Sequence, residues 1–475
     1  MSRRAGLDAK PQSSLLALVT MAVLVGVPCT AEAQQARGWV GSSAQLIGMR
    51  PVVRLADPCP SETPCYTSAE PELAAVASQD LFLTAWGFGV RGLSTTLQLR
   101  TRQRLGGGFE WPRSDDPFDA MLAYADLVRG DFTFRLGRQE VRSGLGFPSF
   151  DGGMVRWTRR SLRVEGYGGR SLARGLRDPA NEALRGLEDF LPDQGVYLIG
   201  TSVRGRVSGA SLTARYHREI LGDRSGLASE RASLDVSTAT SIASVRGALD
   251  YDVARRSFGK GHVTVSVPLE DARWILEGSA SRYVPYFSLS TIWGLFEPVS
   301  YSEGTVRVGW AGLADWSARA SFGLRRYGDP GTVVVLRPLE DTGRRASVDV
   351  MWRPEGPWAA GATYDLEWGP GGYLGSLEGT ASWTPSEGTF VTASGRTFQQ
   401  IEQYRLGDGR AVGAGVSGGV RVTDRLSFSG GGSVLRARTE GGVAGDPWNQ
   451  TRGWSSVRLL IGRDPGSTTP GSFGR

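Results

Sequence analysis

The chain has 475 residues, 40% of them hydrophobic and 21% charged, with 66 glycines and a formal net charge of +6. No compact lysine or arginine run resembles a nucleic-acid-binding arm, which excludes nucleic acid as a partner. His217 and His262 are the only histidines, so histidine-based metal sites and triads have little to work with, and no cofactor or metal is expected.

The first element in chain order is a leader. Arg3, Arg4 and Lys10 precede an apolar run from Leu15 to Val27, and Ala31-Glu32-Ala33 follows. A basic start, a short apolar core and small residues at a cleavage site predict a secretory signal peptide over 1–33. Nothing later reaches about 18 unbroken apolar residues, so no transmembrane helix is expected. An exported chain meets oxidising conditions, and Cys59 and Cys65 in DPCPSETPCY are expected to close a small loop as a disulfide. With no histidine nearby they make a poor zinc site.

One pattern then repeats to the end of the chain. In TVRVGWAGLADWSARASFGLRR (305–326), Val306, Val308 and Trp310 alternate with Thr305, Arg307 and Gly309. After a short break Trp316, Ala318, Ala320, Phe322 and Leu324 alternate with Ser317, Arg319, Ser321, Gly323 and Arg325. Period-two alternation on both sides of a tight turn predicts a hairpin with one apolar and one polar face. Similar units lie at 81–104, 118–139, 153–168, 196–218, 231–253, 262–281, 347–368, 373–397 and 411–437. Single strands near 38–50 and 453–462 bring the total to about 22 strands, within a range of 18–22.

Turns within the hairpins are short, whereas connections between them, such as 105–117, 169–195, 283–302 and 326–343, are long. Short periplasmic turns alternating with long outer loops are the mark of a bacterial outer-membrane barrel, whose strands need about 9–11 residues to cross. Trp310, Trp316, Trp352, Trp358, Trp368 and Trp383 lie near strand ends, where an interfacial girdle would hold them. A mean hydropathy of −0.21 agrees, because only alternate residues would face lipid. The expected fold is therefore all-β, a single transmembrane antiparallel barrel over 34–463. A disordered Gly/Pro/Ser-rich tail is expected at 464–475. One helix is expected over 178–191, in an extracellular loop, from Asp178, Pro179 and the stripe Leu184, Leu187, Leu191. That helix and the apolar loop 284–301 are the segments that could plug a pore.

With the apolar face toward lipid, the other face lines a lumen. Extending the parity assigns Arg100, Arg102, Arg104, Arg135, Arg163, Arg204, Arg206, Arg215, Arg246, Arg273, Arg307, Arg319, Arg325, Arg396 and Arg421 to it. The acids assigned there are fewer and include Glu165, Asp235, Glu277, Asp349, Asp365 and Glu367. A passage lined by excess arginine favours anions, and guanidinium suits carboxylates and phosphates, uronates included. The alternative is that these arginines pair with carboxylates across strands and stiffen the wall.

AYADLVRGDFTFRLGRQEVRSGLGFPSFDGGMVRW (123–157) resembles the alginate-export-type outer-membrane barrels and the porins near them, through Gly130-Asp131, Arg135-Leu136-Gly137-Arg138-Gln139-Glu140 and Phe150-Asp151-Gly152. The resemblance implies a barrel with an arginine-rich lumen, with Arg135, Arg138 and Asp151 on or near the pore wall. It also implies export of an anionic polysaccharide with periplasmic partners as an alternative to a porin-like channel for small anionic or polar solutes. A plugged structural or adhesive barrel and a soluble secreted β-protein are the rivals.

No enzyme is expected. Gly415-Val416-Ser417-Gly418-Gly419 matches a nucleophile-elbow pattern, and Gly413 to Gly418 a dinucleotide fingerprint, but both fall inside an alternating strand with no helix after it. His217 beside Glu219 could be imagined as a base, although a polar lumen residue is the simpler account.

Overall fold

A computed structural model describes residues 35–462 except 50–51, 55–65, 69–71, 107–117, 142, 144, 146–147, 173–194, 223–225, 271, 285–299, 329–340, 370–371, 402–408 and 440–447. The expected signal peptide, the Cys59–Cys65 disulfide, the helix at 178–191, most of the 284–301 loop and the C-terminal tail lie outside the described residues.

The wall begins with β1 (Gln35–Met49), and a separate two-stranded ladder of β2 (Val52–Arg54) and β3 (Tyr66–Ser68) follows. It resumes with β4 (Glu72–Trp86), β5 (Leu93–Gly106), β6 (Phe118–Arg129), β7 (Phe132–Glu140), β8 (Ser149–Arg159), β9 (Leu162–Ser171) and β10 (Val196–Val207). Next come β11 (Ala210–Leu221), β12 (Leu227–Ala239), β13 (Ser244–Asp252), β14 (Ser257–Leu269), β15 (Trp274–Tyr283), β16 (Tyr301–Leu313) and β17 (Trp316–Tyr327). The last are β18 (Thr342–Trp352), β19 (Trp358–Gly369), β20 (Gly372–Ser386), β21 (Thr389–Ile401), β22 (Gly409–Arg421), β23 (Leu426–Thr439) and β24 (Trp448–Ile461).

Each wall strand pairs antiparallel with the next, and β1 pairs with both β4 and β24. The sheet therefore closes on itself with 22 strands, as the count of hairpins predicted. Closure leaves no unpaired edge, which is what a hydrocarbon surrounding demands. The tight turns collect at one end. Ser208 and Gly209 both have positive φ (48° and 85°), the backbone of a two-residue hairpin matched to strand twist. The one-sidedness has three exceptions at the long-loop end: β11 to β12 takes five residues, β13 to β14 four and β19 to β20 only two.

The outer face is apolar and uncovered. Leu136 is 71% exposed, Leu324 56% and Phe322 49%. These rings and aliphatic chains are compatible with lipid and unfavourable toward water. At the short-turn end Trp274 meets Trp310, Trp316 meets Trp352 and Trp358 meets Trp383, with ring centroids 6.3, 6.3 and 5.9 Å apart. At the other end Trp368 meets Tyr373 edge-on at 5.8 Å. Trp358 and Trp368 share β19, ten residues apart, hence about 33 Å along the strand and about 25 Å in height at a tilt of about 40°. That matches the apolar band of an outer-membrane barrel.

The opposite parity carries hydroxyls and ion pairs. Ser43 and Ser78 (2.7 Å), Ser321 and Ser347 (2.6 Å), and Ser429 and Ser456 (2.7 Å) bond across strands. On the β7–β10 side this inner face is covered instead of wet. Phe150, Met154, Tyr167 and Leu198 form a buried cluster, with the Phe150 and Tyr167 rings 5.6 Å apart. The Tyr167 ring lies over Gly200, where a Cβ would come within 2.2 Å of it, so only glycine admits the ring there.

Candidate functional site

The lumen wall is built from cross-strand pairs, because antiparallel register sets each arginine opposite one residue on either side. Arg100 Nε donates to Asp80 at 2.6 Å across β4–β5. Arg135 grips Asp126 through two bonds (2.7 and 2.9 Å) and lies 3.9 Å from the centre of the Tyr124 ring. Arg156 donates to Glu165 at 2.5 Å, Arg215 pairs with Asp235, and Arg307 pairs with Glu277. Structural pairing therefore accounts for a large part of the wall.

Arg325 is the most heavily engaged. Its Nε donates to Glu303 at 2.7 Å, and its Nη1 donates to Glu367 at 3.0 Å and to the Tyr327 hydroxyl at 3.1 Å. The guanidinium also sits 4.3 Å from the Tyr301 ring centre and is only 13% exposed. Arg325→Gln leaves two carboxylates facing each other without their cation, and is expected to cost about 2–3 kcal/mol in urea unfolding of the vesicle-embedded barrel. Asp365 lines the recess beside this group, about 530 Å³, with Arg307, Arg345, Glu303 and Glu367. Its charges are mixed.

Other expected wall arginines hold no carboxylate among the described residues. Arg163, Arg246, Arg273 and Arg319 form no ion pair among the described residues. Arg319 stands opposite Asp349 in register, yet Asp349 accepts its bond from the Thr363 hydroxyl at 2.9 Å. Arg102 keeps a buried Nη1 without a partner among the described residues.

At the short-turn end four arginines converge. A recess of about 270 Å³ is lined by Arg160, Arg163, Arg204 and Arg206 with Thr158 and Ser211, and no carboxylate borders it. The β9–β10 register sets Arg163 directly opposite Arg204. Arg160 reaches the same place from the tip of the β8–β9 turn, where its φ is 51°. Parity found Arg163, Arg204 and Arg206; it could not find Arg160, because a turn residue has no face. Four guanidinium groups thus border one recess with no counter-charge among its lining residues.

On the same side of the barrel, at the long-loop end, the wall is tied to the β7–β8 connection. Arg231 on β12 donates Nη1 to the Leu145 carbonyl at 2.9 Å and Nη2 to Asp250 at 3.1 Å. Leu145 is itself buried, so at this point the chain lies against the wall. His217 is buried there too, 3.5 Å from the Glu219 carboxylate and 3.4 Å from the Tyr167 hydroxyl. Both of its nitrogens are engaged by the wall. Gly415 to Gly419 run inside β22 as unbroken strand.

The motif at 135–151 is divided between faces. Gln139 points inward, is fully buried, and donates to the Gly152 carbonyl at 3.0 Å. Arg138 and Asp151, expected on or near the pore wall, instead share the parity of Leu136 and Val155 on the outer face, and so does Glu140. Arg138 grips Asp151 there through two bonds of 2.7 and 2.8 Å. The reason is the alternation itself: Arg135 and Arg138 are three residues apart on one strand and cannot share a face.

No protein-family profile matches the chain, and no characterised protein matches its sequence. Among solved structures, the siderophore receptor PirA from Pseudomonas aeruginosa is 13% identical with a TM-score of 0.54, the match covering 89% of this chain and 80% of that one. A BenF-like porin from Pseudomonas fluorescens Pf-5 is 12% identical with a TM-score of 0.42 over 90% and 99%. OccK2 from Pseudomonas aeruginosa, in complex with glucuronate, is 11% identical with a TM-score of 0.41 over 90% and 98%. The fold is that of an outer-membrane β-barrel. At these identities the likeness reaches no further than the fold, and it adds nothing to the alginate-export resemblance of 123–157.

Proposed function

We propose that this barrel is a porin-like channel whose cationic lumen passes anionic and polar solutes, small uronate-type carboxylates among them. The observation that carries the reading is the recess of Arg160, Arg163, Arg204 and Arg206 at the short-turn mouth, with no carboxylate on its border. Twenty-two strands about 4.8 Å apart enclose roughly 40 Å, so an empty wall would not select. Selection then comes from arginine enrichment at the short-turn mouth. The chain needs no chemistry for this: a solute carboxylate exchanges water for guanidinium on entry and reverses the exchange on exit.

Single-channel conductance of the purified protein in planar bilayers under a chloride gradient tests the reading. The expected result is a reversal potential on the anion side and a chloride current reduced by millimolar glucuronate. An inserted barrel that conducts nothing would replace this reading with a plugged barrel that binds through its outer loops. A current blocked by oligomeric uronate only from the short-turn side would favour a dedicated polysaccharide exporter.

A further inference from the structure

The outer wall carries a second cationic feature, on the face turned away from the lumen. Arg282 on β15, Arg326 on β17 and Arg344 on β18 each lie within two residues of the long-loop end of their strands. All three are exposed, and they share the parity of Leu324 and Val306. Cross-strand register joins them: Arg282 faces Ser302, Ser302 faces Arg326, and Arg344 faces both Leu324 and Trp368. None forms an ion pair among the described residues. Another outward arginine at the same end is neutralised, since Arg138 holds Asp151.

Directly toward the membrane from these arginines the wall is hollow. A groove of about 780 Å³ runs past Leu249, Val263, Ala280 and Leu324, with Gly261 and Gly304 as its floor. A Cβ added at Gly304 would meet nothing within 4 Å, so the space is open. An apolar groove at the level of lipid tails, crowned at the level of the headgroups by three cations with no ion pair among the described residues, has the layout of one amphipathic anion.

We propose that this face binds a phosphorylated lipid of the outer leaflet, with its phosphates on Arg282, Arg326 and Arg344 and an acyl chain in the Gly261–Gly304 groove. The long-loop end faces the cell exterior in barrels of this kind, which assigns the leaflet. Arginine binds phosphate through paired charge-assisted bonds, and within the hydrocarbon interface those bonds are less screened than in water. The proposal depends on which face meets lipid and is independent of what the lumen carries.

Thermal unfolding of the detergent-solubilised full chain titrated with diphosphorylated lipid A tests it, against dephosphorylated lipid A with the same acyl chains and against inorganic phosphate. The expected result is saturable stabilisation by the phosphorylated lipid alone. Arg282→Gln/Arg326→Gln/Arg344→Gln should weaken apparent affinity by about a hundredfold while leaving the unfolding midpoint without lipid and the ion selectivity unchanged. Gly304→Leu, which fills the groove and leaves the arginines intact, should weaken it as well. Equal stabilisation by the dephosphorylated lipid or by inorganic phosphate overturns the proposal. So does an equal loss on removing Arg410, Arg436 and Arg438, which also face outward at that end but do not border the groove.

Discussion

Changing Arg163, Arg204 and Arg206 together to glutamate is expected to convert an anion-preferring pore into a cation-preferring one. Each side chain reverses one charge, so the recess changes by six units while Arg160 remains. A unit charge about 6 Å from a passing ion contributes about 0.7 kcal/mol in water, so six units amount to about 4 kcal/mol before screening. A Debye length of about 10 Å at 0.1 M salt leaves roughly half of that, which corresponds to a change of more than tenfold in the chloride-to-potassium permeability ratio. Reversal potentials in a salt gradient measure it directly. The three residues are exposed and bond to no carboxylate among the described residues, so the variant should insert and unfold like the parent. The size of the effect also reports the width of the path. If ions cross the full span of roughly 40 Å, most never approach the recess and the ratio moves less than twofold. A shift above tenfold means that the conducting path runs close past the recess. A ratio that does not move at all would remove the recess from the conduction path, and with it the argument for an anion channel.

The barrel was legible in the sequence because its determinants are local. Val306, Val308 and Trp310 alternate with Thr305, Arg307 and Gly309, and nothing distant is needed to see two faces or to count hairpins. The lumen chemistry was legible only in part, because parity assigns a face and not a partner. Arg325 and Arg319 are equivalent by parity, yet one holds two glutamates and the other none. That difference depends on the stagger between β16, β17 and β19, which the sequence does not display. The arginine recess joins a turn at 160 to strands more than 40 residues later, through the pairing of Arg163 with Arg204. Arg138 shows the opposite failure: a motif resemblance set it on the pore wall, while the alternation of Phe134, Leu136 and Arg138 already turned it outward. Where a short motif and a strand's period disagree about direction, the period follows from backbone geometry and the motif does not.

The assignment of lipid to the outer face makes the strongest energetic demand on the structure, and two adjacent residues of β20 isolate it. Leu377 is 45% exposed and pairs with Tyr364, which lies between Trp358 at one interface and Trp368 at the other. Leu377→Arg therefore sets a guanidinium near the middle of the apolar band, at a cost of about 2–4 kcal/mol. Ser376, one residue away, faces the lumen opposite Asp365. Ser376→Arg gains a carboxylate neighbour in a wet recess and should change stability by no more than about 0.5–1 kcal/mol. Reversible urea unfolding of both variants in phospholipid vesicles gives the two numbers under one condition. A soluble β-protein with the same strands predicts the reverse order of concern, because a half-exposed leucine on a wet surface can become arginine within about 0.5 kcal/mol. Equal, small costs at 376 and 377 would therefore remove the membrane from the outer face. The lumen, the anion recess and the lipid groove would then all have to be argued again. A difference of 2 kcal/mol or more between neighbours that differ only in which way they point has one source, the depth-dependent price of charge in hydrocarbon.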